Sequence, residues 1–165
     1  MNLHRIIRHL FTTAWQMRRA FPASALHAIE QAVRTSESSH GGEVRFVVEG
    51  ALDGMPLWRG QSARERAIDL FSHLRVWDTE HNNGVMIYVL LADRQVEIVA
   101  DRGIHACCGA DAWSVVCRGM EEHFAKGDFG GGAVLGIQAV TRLLACHYPV
   151  LSDNRNELPD APVVL

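Results

Sequence analysis

The chain has 165 residues, 48% of them hydrophobic and 21% charged, so it can bury one substantial core and is too short for two independent ones. A formal charge of −3 excludes an overall basic surface, and we expect no nucleic-acid partner. The four cysteines lack the paired spacing of a structural zinc site and no secretory signal precedes them, which predicts reduced thiols in a cytoplasmic protein.

The first segment has apolar residues at helical spacing, which predicts one amphipathic helix over residues 3–20. The first 29 residues contain four arginines and no acid. A cationic helix that also carries Phe11 and Trp15 can lie on anionic lipid, so residues 1–20 are a candidate for peripheral membrane contact. Packing of this helix on the domain or in a partner's groove is the alternative.

The next segments alternate between helix and strand patterns. A second helix is predicted from Pro22, a residue suited to a first helical turn, and residues 43–49 alternate as a strand does. Ser62 and Glu65 have capping-box spacing, which predicts a third helix over residues 63–77.

Two strand patterns then predict a hairpin. Residues 85–91 are apolar on both faces, as in a central strand that helices cover on each side, and residues 95–99 alternate like a strand nearer an edge. Asp93 is expected in the turn, paired with Arg94. The polar groups of the hairpin gather at its two ends, which are where a functional site is expected.

Two last helices complete the pattern, one capped by Asp111 and one led by the glycines at 130–132. The order of elements predicts an α/β fold: a small mixed sheet, made of a parallel βαβ unit and a hairpin, covered by helices in an α/β/α layer arrangement. The predicted organisation is a basic amphipathic helix (1–21), an α/β domain (22–148) and an irregular C-terminal tail (149–165).

Four short patterns, in this order, resemble the TPM-domain family. They are an acid, a polar turn and Gly-Glu-Val from Glu37 onward, Asn83-Gly84-Val85 before an apolar strand, Asp93-Arg94 before the next strand, and Gly127-Asp128-Phe129 before a glycine-led helix. The resemblance covers about residues 22–147. The family includes a thylakoid-lumen phosphatase-like protein, photosystem II repair factors and many bacterial membrane-associated proteins.

The resemblance implies weak phosphatase activity, divalent-cation binding, or a protein-interaction or repair role. Many members carry a signal peptide and a membrane anchor, and this chain is expected to represent a soluble, cytoplasmic branch. Where members usually have Gly-x-Gly after the second hairpin strand, this chain has Asp101-Arg102-Gly103, which adds a carboxylate.

Three acids lie near strand or helix ends that are expected to converge on one edge of the sheet: Asp78, Asp101 and Asp128. Carboxylate oxygens are the ligands that Ca²⁺ and Mg²⁺ prefer, so we predict a cation site here, with Asp101 and Asp128 as its shared ligands. This requires that the back end of the hairpin and the loop before the last helix lie within coordination distance.

Six further residues are predicted to bind a ligand. Asn83, Gly84, Arg102 and Gly103 adjoin the back end of the hairpin, and Gly130 and Gly131 open the last helix. Backbone N–H groups and the helix dipole favour an anion such as phosphate at a helix start, although glycines also serve only to turn the chain.

The predicted function is a TPM-like module that binds a divalent cation and a protein partner and is non-catalytic or marginally active. The alternative is a low-turnover metal-dependent phosphatase acting on phosphate monoesters. That enzyme would use a metal-activated water, with Arg102 or the last helix's N-terminus stabilising the phosphoryl group. The sequence contains no standard hydrolase motif.

Overall fold

The computed structural model describes residues 3–150 and 156–165. Within these residues the elements follow in the order α1 (Leu3–Phe11), α2 (Ala14–Ala20), α3 (Ala23–Glu37), β1 (Glu43–Glu49), α4 (Gly54–Trp58), α5 (Ala63–His73), β2 (Gly84–Leu90), β3 (Gln95–Ala100), α6 (Arg102–Ala125), α7 (Phe129–His147) and β4 (Val163–Val164).

The four strands form one sheet in the order β3-β2-β1-β4. β1 and β2 are parallel and are joined through α4 and α5, while β2 and β3 form the antiparallel hairpin. Phe46, Ile87 and Ile98 lie side by side across β1, β2 and β3. The predicted mixed α/β sheet, with its parallel unit and its hairpin, is therefore confirmed.

Helices cover both faces of the sheet, as the layer prediction requires. One core joins the sheet to α2, α3, α6 and α7, and the other joins it to α1, α4 and α5. All seven residues of β2 are buried, because this strand has a neighbour on each side and a core above and below. The run of apolar residues on both faces predicted this central position.

The N-terminal segment differs from its prediction, because two helices replace the single one. Thr13 ends the continuity and caps α2, where its side chain accepts a hydrogen bond from the Gln16 N–H and the Gln16 side chain accepts one from the Thr13 N–H. α1 buries Ile6 and His9, whereas Leu3, Ile7 and Leu10 of the predicted apolar stripe are exposed. Met17, the last residue of the predicted stripe, is buried in the core, so the stripe is exposed along α1 and covered at its end in α2.

Other element boundaries also differ. α6 begins at Arg102, nine residues before the predicted cap at Asp111, and Gly109 interrupts it with a φ of 75°. α5 ends at His73, after which Arg75 adopts a φ of 54°. The tail was predicted as irregular, yet its Val163–Val164 segment pairs with β1 as a short strand. Strand pairing over two residues leaves no periodicity for the sequence to display.

α7 is long and apolar enough, by length and composition alone, to cross a membrane. Here it packs between α3 and α6, and Ile137, Val140 and Leu144 along its length are fully buried. Its hydrophobicity is accounted for by its place in the core.

Candidate functional site at the amino end of the parallel strands

The back end of the hairpin forms a compact corner, which we call the strand-end corner and define as residues 82–84 and 101–104. The Asp101 N–H donates to the Gly84 carbonyl oxygen at 2.8 Å, and the Ile104 N–H donates to the Asn82 carbonyl oxygen at 3.3 Å. The start of α6 is thereby held against the start of β2. A strand end, a helix start and a loop meet at this point.

Glycine is required at two positions of the strand-end corner by close backbone approach. A methyl group at Gly103 would lie 2.5 Å from the Asn82 carbonyl oxygen and 2.6 Å from the hydroxyl oxygen of Tyr148. One at Gly84 would overlap the carbonyl oxygen of Val76. Gly84 and Gly103 therefore shape the corner, and their predicted importance has a steric cause.

The strand-end corner also holds two buried oxygen atoms for which the described residues supply no hydrogen-bond donor. Asn83 is 1% exposed and Asp101 is 7% exposed. The Asn83 side-chain N–H group donates to the Gly41 carbonyl oxygen at 2.7 Å, and Asp101 Oδ1 accepts from the Arg102 N–H at 2.6 Å. Asn83 Oδ1 and Asp101 Oδ2 remain without a partner in the described chain. Buried oxygens of this kind require water or an ion.

The predicted cation site is only partly assembled. The structure brings Asp101, Asn83 and Gly103 together at the corner, with the exposed Arg102 on its rim. Asp78 lies in the preceding loop, where its neighbour Thr79 accepts a hydrogen bond from the Asn83 N–H, but the Asp78 side chain is exposed.

Asp128 does not belong to this corner, so the predicted pairing of Asp101 with Asp128 is wrong. Asp128 caps the start of α7, whereas Gly103 contacts Tyr148 at the other end of that helix. A helix of 19 residues is about 28 Å long, far beyond coordination distance.

The predicted anion site at the start of α7 is filled by the protein itself. Asp128 Oδ1 accepts the Gly131 N–H at 3.0 Å, and Asp128 Oδ2 lies 2.8 Å from His123 Nδ1. These two contacts lower the pKa of Asp128, that of His123 having the larger effect. A methyl group at Gly130 would lie 3.4 Å from Ala25 Cβ of α3, an ordinary van der Waals contact, so close approach does not require glycine there.

Asp93 at the turn of the hairpin is held by the N-terminal helix, and its predicted pairing with Arg94 is wrong. Its carboxylate accepts hydrogen bonds from Arg5 at 2.7 and 2.9 Å, pairs with Arg8, and lies 3.1 Å from His9 Nε2. Burial alone would raise the pKa of Asp93, but these contacts outweigh it and lower the pKa.

A second acidic group lies where the C-terminal tail docks beside β1. The Glu43 carboxylate accepts the N–H groups of Glu157 and Leu158 at 3.2 and 3.1 Å. Burial, together with the charges of Glu43 and Asp160, raises the pKa of Glu37 to about 8, and burial raises that of Glu43 to about 7. These two hydrogen bonds to Glu43 dock the tail against the start of β1.

Three residues that contact the corner escaped the sequence prediction: Thr79, Tyr148 and Gly41. Thr79 lies four residues before Asn83, whereas Gly41 and Tyr148 reach Asn83 and Gly103 from distant parts of the chain. No spacing in the sequence signals such contacts.

The geometry defines a small α/β/α domain with a polar corner at the amino end of its parallel strands. The family model for the TPM domain matches residues 17–143, and the chain belongs to the TPM-domain family. No curated protein sequence is significantly similar to the chain.

Two solved structures share this fold. The NMR structure of the BA42 protein from the psychrophilic bacterium Bizionia argentinensis is 30% identical, with a TM-score of 0.76 over 87% of this chain and 94% of that one. The solution NMR structure of the N-terminal domain of a P. gingivalis protein is 19% identical, with a TM-score of 0.61 over 78% of this chain and 81% of that one. The second likeness is one of fold alone.

Proposed function

We propose that this TPM domain is a non-catalytic or marginally active module that binds a divalent cation at the strand-end corner and works through a protein partner. The observation that carries the proposal is the pair of buried oxygens without donors, Asn83 Oδ1 and Asp101 Oδ2. One is a carboxylate oxygen and the other an amide oxygen, which are ligand types for Mg²⁺ and Ca²⁺.

The donor set favours an ion that keeps part of its hydration. Among the residues that the structure describes, no group of three His, Cys, Asp or Glu side chains that could hold a metal includes Asp101. Mg²⁺ commonly binds through one or two carboxylates and retains several waters, whereas Ca²⁺ takes six to eight oxygens. We therefore expect Mg²⁺ to bind, with Ca²⁺ as a weaker competitor.

Isothermal titration of the full chain with MgCl₂ and with CaCl₂ tests the proposal. Asp101→Asn is expected to weaken binding by about tenfold or more, since it removes the negative charge and retains the shape. Asp128→Asn is the matched control, because this acid also caps a helix but lies at the far end of α7. Equal affinity of Asp101→Asn and the wild type would contradict the proposal.

The alternative function, a low-turnover metal-dependent phosphatase, would use the same corner. It is favoured by the exposed Arg102, which follows Asp101 directly and can reach a phosphate group from the rim. A bound cation would supply a water of lowered pKa as the nucleophile. Turnover of a phosphate monoester should then require Mg²⁺, Ca²⁺ or Mn²⁺ and be lost in Asp101→Asn. Turnover that survives this substitution excludes the corner as its source.

A protein partner at this end of the sheet is supported by Trp77, which is 51% exposed in the loop that leads to the corner. Exposed aromatic side chains are frequent anchors of protein interfaces. A reducing compartment such as the cytoplasm is supported by the four cysteines, all of which are free thiols. Trp77→Ser should weaken partner binding more than Val115→Ser, another exposed apolar position.

A further inference from the structure

The opposite end of the sheet carries an exposed apolar surface formed by α1, α2, α4 and β4, which we call the α1–α4 face. Phe11, Trp15 and Trp58 on this face are 72%, 65% and 60% exposed. Leu10, Met55 and Leu165, on these elements or directly after them, are also exposed, and Leu10, Trp58 and Leu165 line one groove. Exposed apolar side chains grouped in this way indicate a site of contact with another apolar phase.

The exposure of α1 follows from how the helix is attached. Ile6 and His9 face the core, and Arg5 and Arg8 on the same side reach Asp93. These contacts fix the rotation of the helix. Its apolar stripe is therefore only partly covered by the domain: Leu3 and Leu10 are 66% and 72% exposed, so most of their apolar surface stays in water.

A groove of about 650 Å³ runs through the α1–α4 face. Its walls include Met17 of α2, Leu57 and Trp58 of α4, and Leu165 next to β4. The groove lies beyond the carboxyl end of β1, whereas the strand-end corner lies at the amino end of β2. A strand of seven residues spans about 20 Å, so the two surfaces are separate.

The charge around the α1–α4 face favours an anionic partner. Arg18, Arg19 and Arg59 are exposed there, while Asp53 is the acid in the groove wall. The Arg19 guanidinium lies over the Trp15 ring, with its carbon 5.4 Å from the ring centroid. Of the four arginines in the first 29 residues, Arg5 and Arg8 pair with Asp93, so the exposed Arg18 and Arg19 are the ones that remain for an anionic partner.

We propose that the chain binds the surface of anionic lipid bilayers through the α1–α4 face, a property separate from cation binding at the strand-end corner. Phe11, Trp15 and Trp58 enter the interfacial layer, and Arg18 and Arg19 contact lipid phosphates. Outward-pointing aromatic residues beside arginines are typical of interfacial helices.

Flotation of the full chain tests this proposal, with vesicles of phosphatidylcholine alone or mixed with phosphatidylglycerol. We expect binding to the mixed vesicles, weakened by salt because the attraction is partly electrostatic. Trp15→Ser combined with Trp58→Ser should reduce binding by about tenfold or more, and so should Arg18→Glu combined with Arg19→Glu. Trp77→Ser is the matched control, since this exposed tryptophan lies at the other end of the sheet.

All four substituted side chains are exposed, so the variants should keep the circular dichroism spectrum of the wild type. The proposal is overturned if the wild type fails to float with mixed vesicles, or if both double variants float as it does. A different result would also overturn it: a wild type that forms a dimer and does not bind vesicles, together with a tryptophan double variant that is monomeric. That result would show that a second copy of the chain covers this face. Vesicle binding should persist when a chelator removes divalent cations, which distinguishes it from cation binding at the strand-end corner.

Discussion

The two ends of the β2–β3 hairpin each hold an aspartate that is shielded from solvent, and their surroundings differ. At the turn, Asp93 is half-buried, and its side chain, 5% exposed, is matched by Arg5, Arg8 and His9. At the back end, Asp101 is a buried residue, but one of its oxygens has no donor among the described residues. Both carboxylates are shielded, and only that of Asp93 has cationic partners.

The difference separates a structural role from a ligand-binding role. A buried carboxylate with cationic partners ties two parts of the chain together, as Asp93 ties α1 to the hairpin. A buried carboxylate with an unmatched oxygen has a desolvation cost that a ligand can offset. A buried acid therefore marks a candidate binding site only when it lacks cationic partners in the protein.

The largest expected effect on stability comes from removing the carboxylate of Asp93, which has cationic partners. Asp93→Ala should lower the free energy of unfolding by about 2–3 kcal/mol, because it leaves two arginines without their carboxylate in a partly buried place. Urea denaturation measures this loss. Asp53→Ala is the control, since Asp53 is exposed and makes no side-chain cap bond, and it should change stability by less than about 0.5 kcal/mol. Equal effects of the two substitutions would remove the structural role of Asp93.

The next largest effect tests Asp101, one oxygen of which has no hydrogen-bond donor among the described residues. Without added cation, Asp101→Asn should change the free energy of unfolding by less than about 1 kcal/mol, because no cationic side chain loses its partner. With Mg²⁺ at a hundred times its dissociation constant, the wild type should gain about 2.7 kcal/mol and the variant almost nothing. The urea midpoints of the wild type and the variant, with and without MgCl₂, measure both differences in stability. A large loss in the absence of cation would place Asp101 with Asp93 as a structural acid.

A smaller effect follows from closing the strand-end corner. Gly103→Ala should cost about 1–3 kcal/mol, since the methyl group would meet the Asn82 carbonyl and the Tyr148 hydroxyl. Gly130→Ala is the matched control at another helix start. The methyl group added there would lie 3.4 Å from its nearest neighbour, Ala25 Cβ. That change should be neutral or gain less than about 1 kcal/mol from helix propensity. Thermal unfolding of both variants measures the difference. An equal loss of stability in the two variants would show that the strand-end corner has room for a methyl group.

The sequence predicted the centre of the fold better than its edges. The apolar run at 85–91 predicted the buried central strand, and Ser62 with Glu65 predicted the capped start of α5. Both signals are local, because burial on two faces and a capping box depend on residues near each other in the chain.

Helix α7 is the reason why the predicted pairing of Asp101 with Asp128 failed. Asp128 caps the start of this 19-residue helix, whereas Gly103, two residues after Asp101, approaches Tyr148 at its end. The sequence did not predict the helical segment between Arg102 and the break at Gly109, which follows Asp101 directly. The corner residues Asn83, Gly84, Arg102 and Gly103 were predictable, because the antiparallel pairing of β2 and β3 brings them together.

Periodicity also misjudged α1. Leu3, Ile7 and Leu10 have the spacing of a buried stripe, yet they are exposed while His9 is buried. The rotation of α1 is determined by contacts to Asp93, more than 80 residues away in the chain. A pattern within one helix reveals an apolar face but not what covers it.

The smallest expected effect concerns a third kind of acid, the half-buried Glu37, whose carboxyl group accepts a hydrogen bond from Asn156 and lies near other acids instead of near arginines. The pKa of Glu37 is about 8, raised chiefly by burial, against 4.5 for an ordinary glutamate. Its contribution to stability is fully present below about pH 4.5 and is lost as the pH rises through 8, the opposite of Asp93, whose lowered pKa makes its contribution disappear in acid. Glu37→Gln should remove part of the decline in the urea midpoint between about pH 5 and about pH 8, while the exposed Glu122→Gln should not. The effect is limited because the tail can detach locally, and an unchanged pH dependence would show that the Glu37 carboxyl is not buried in solution.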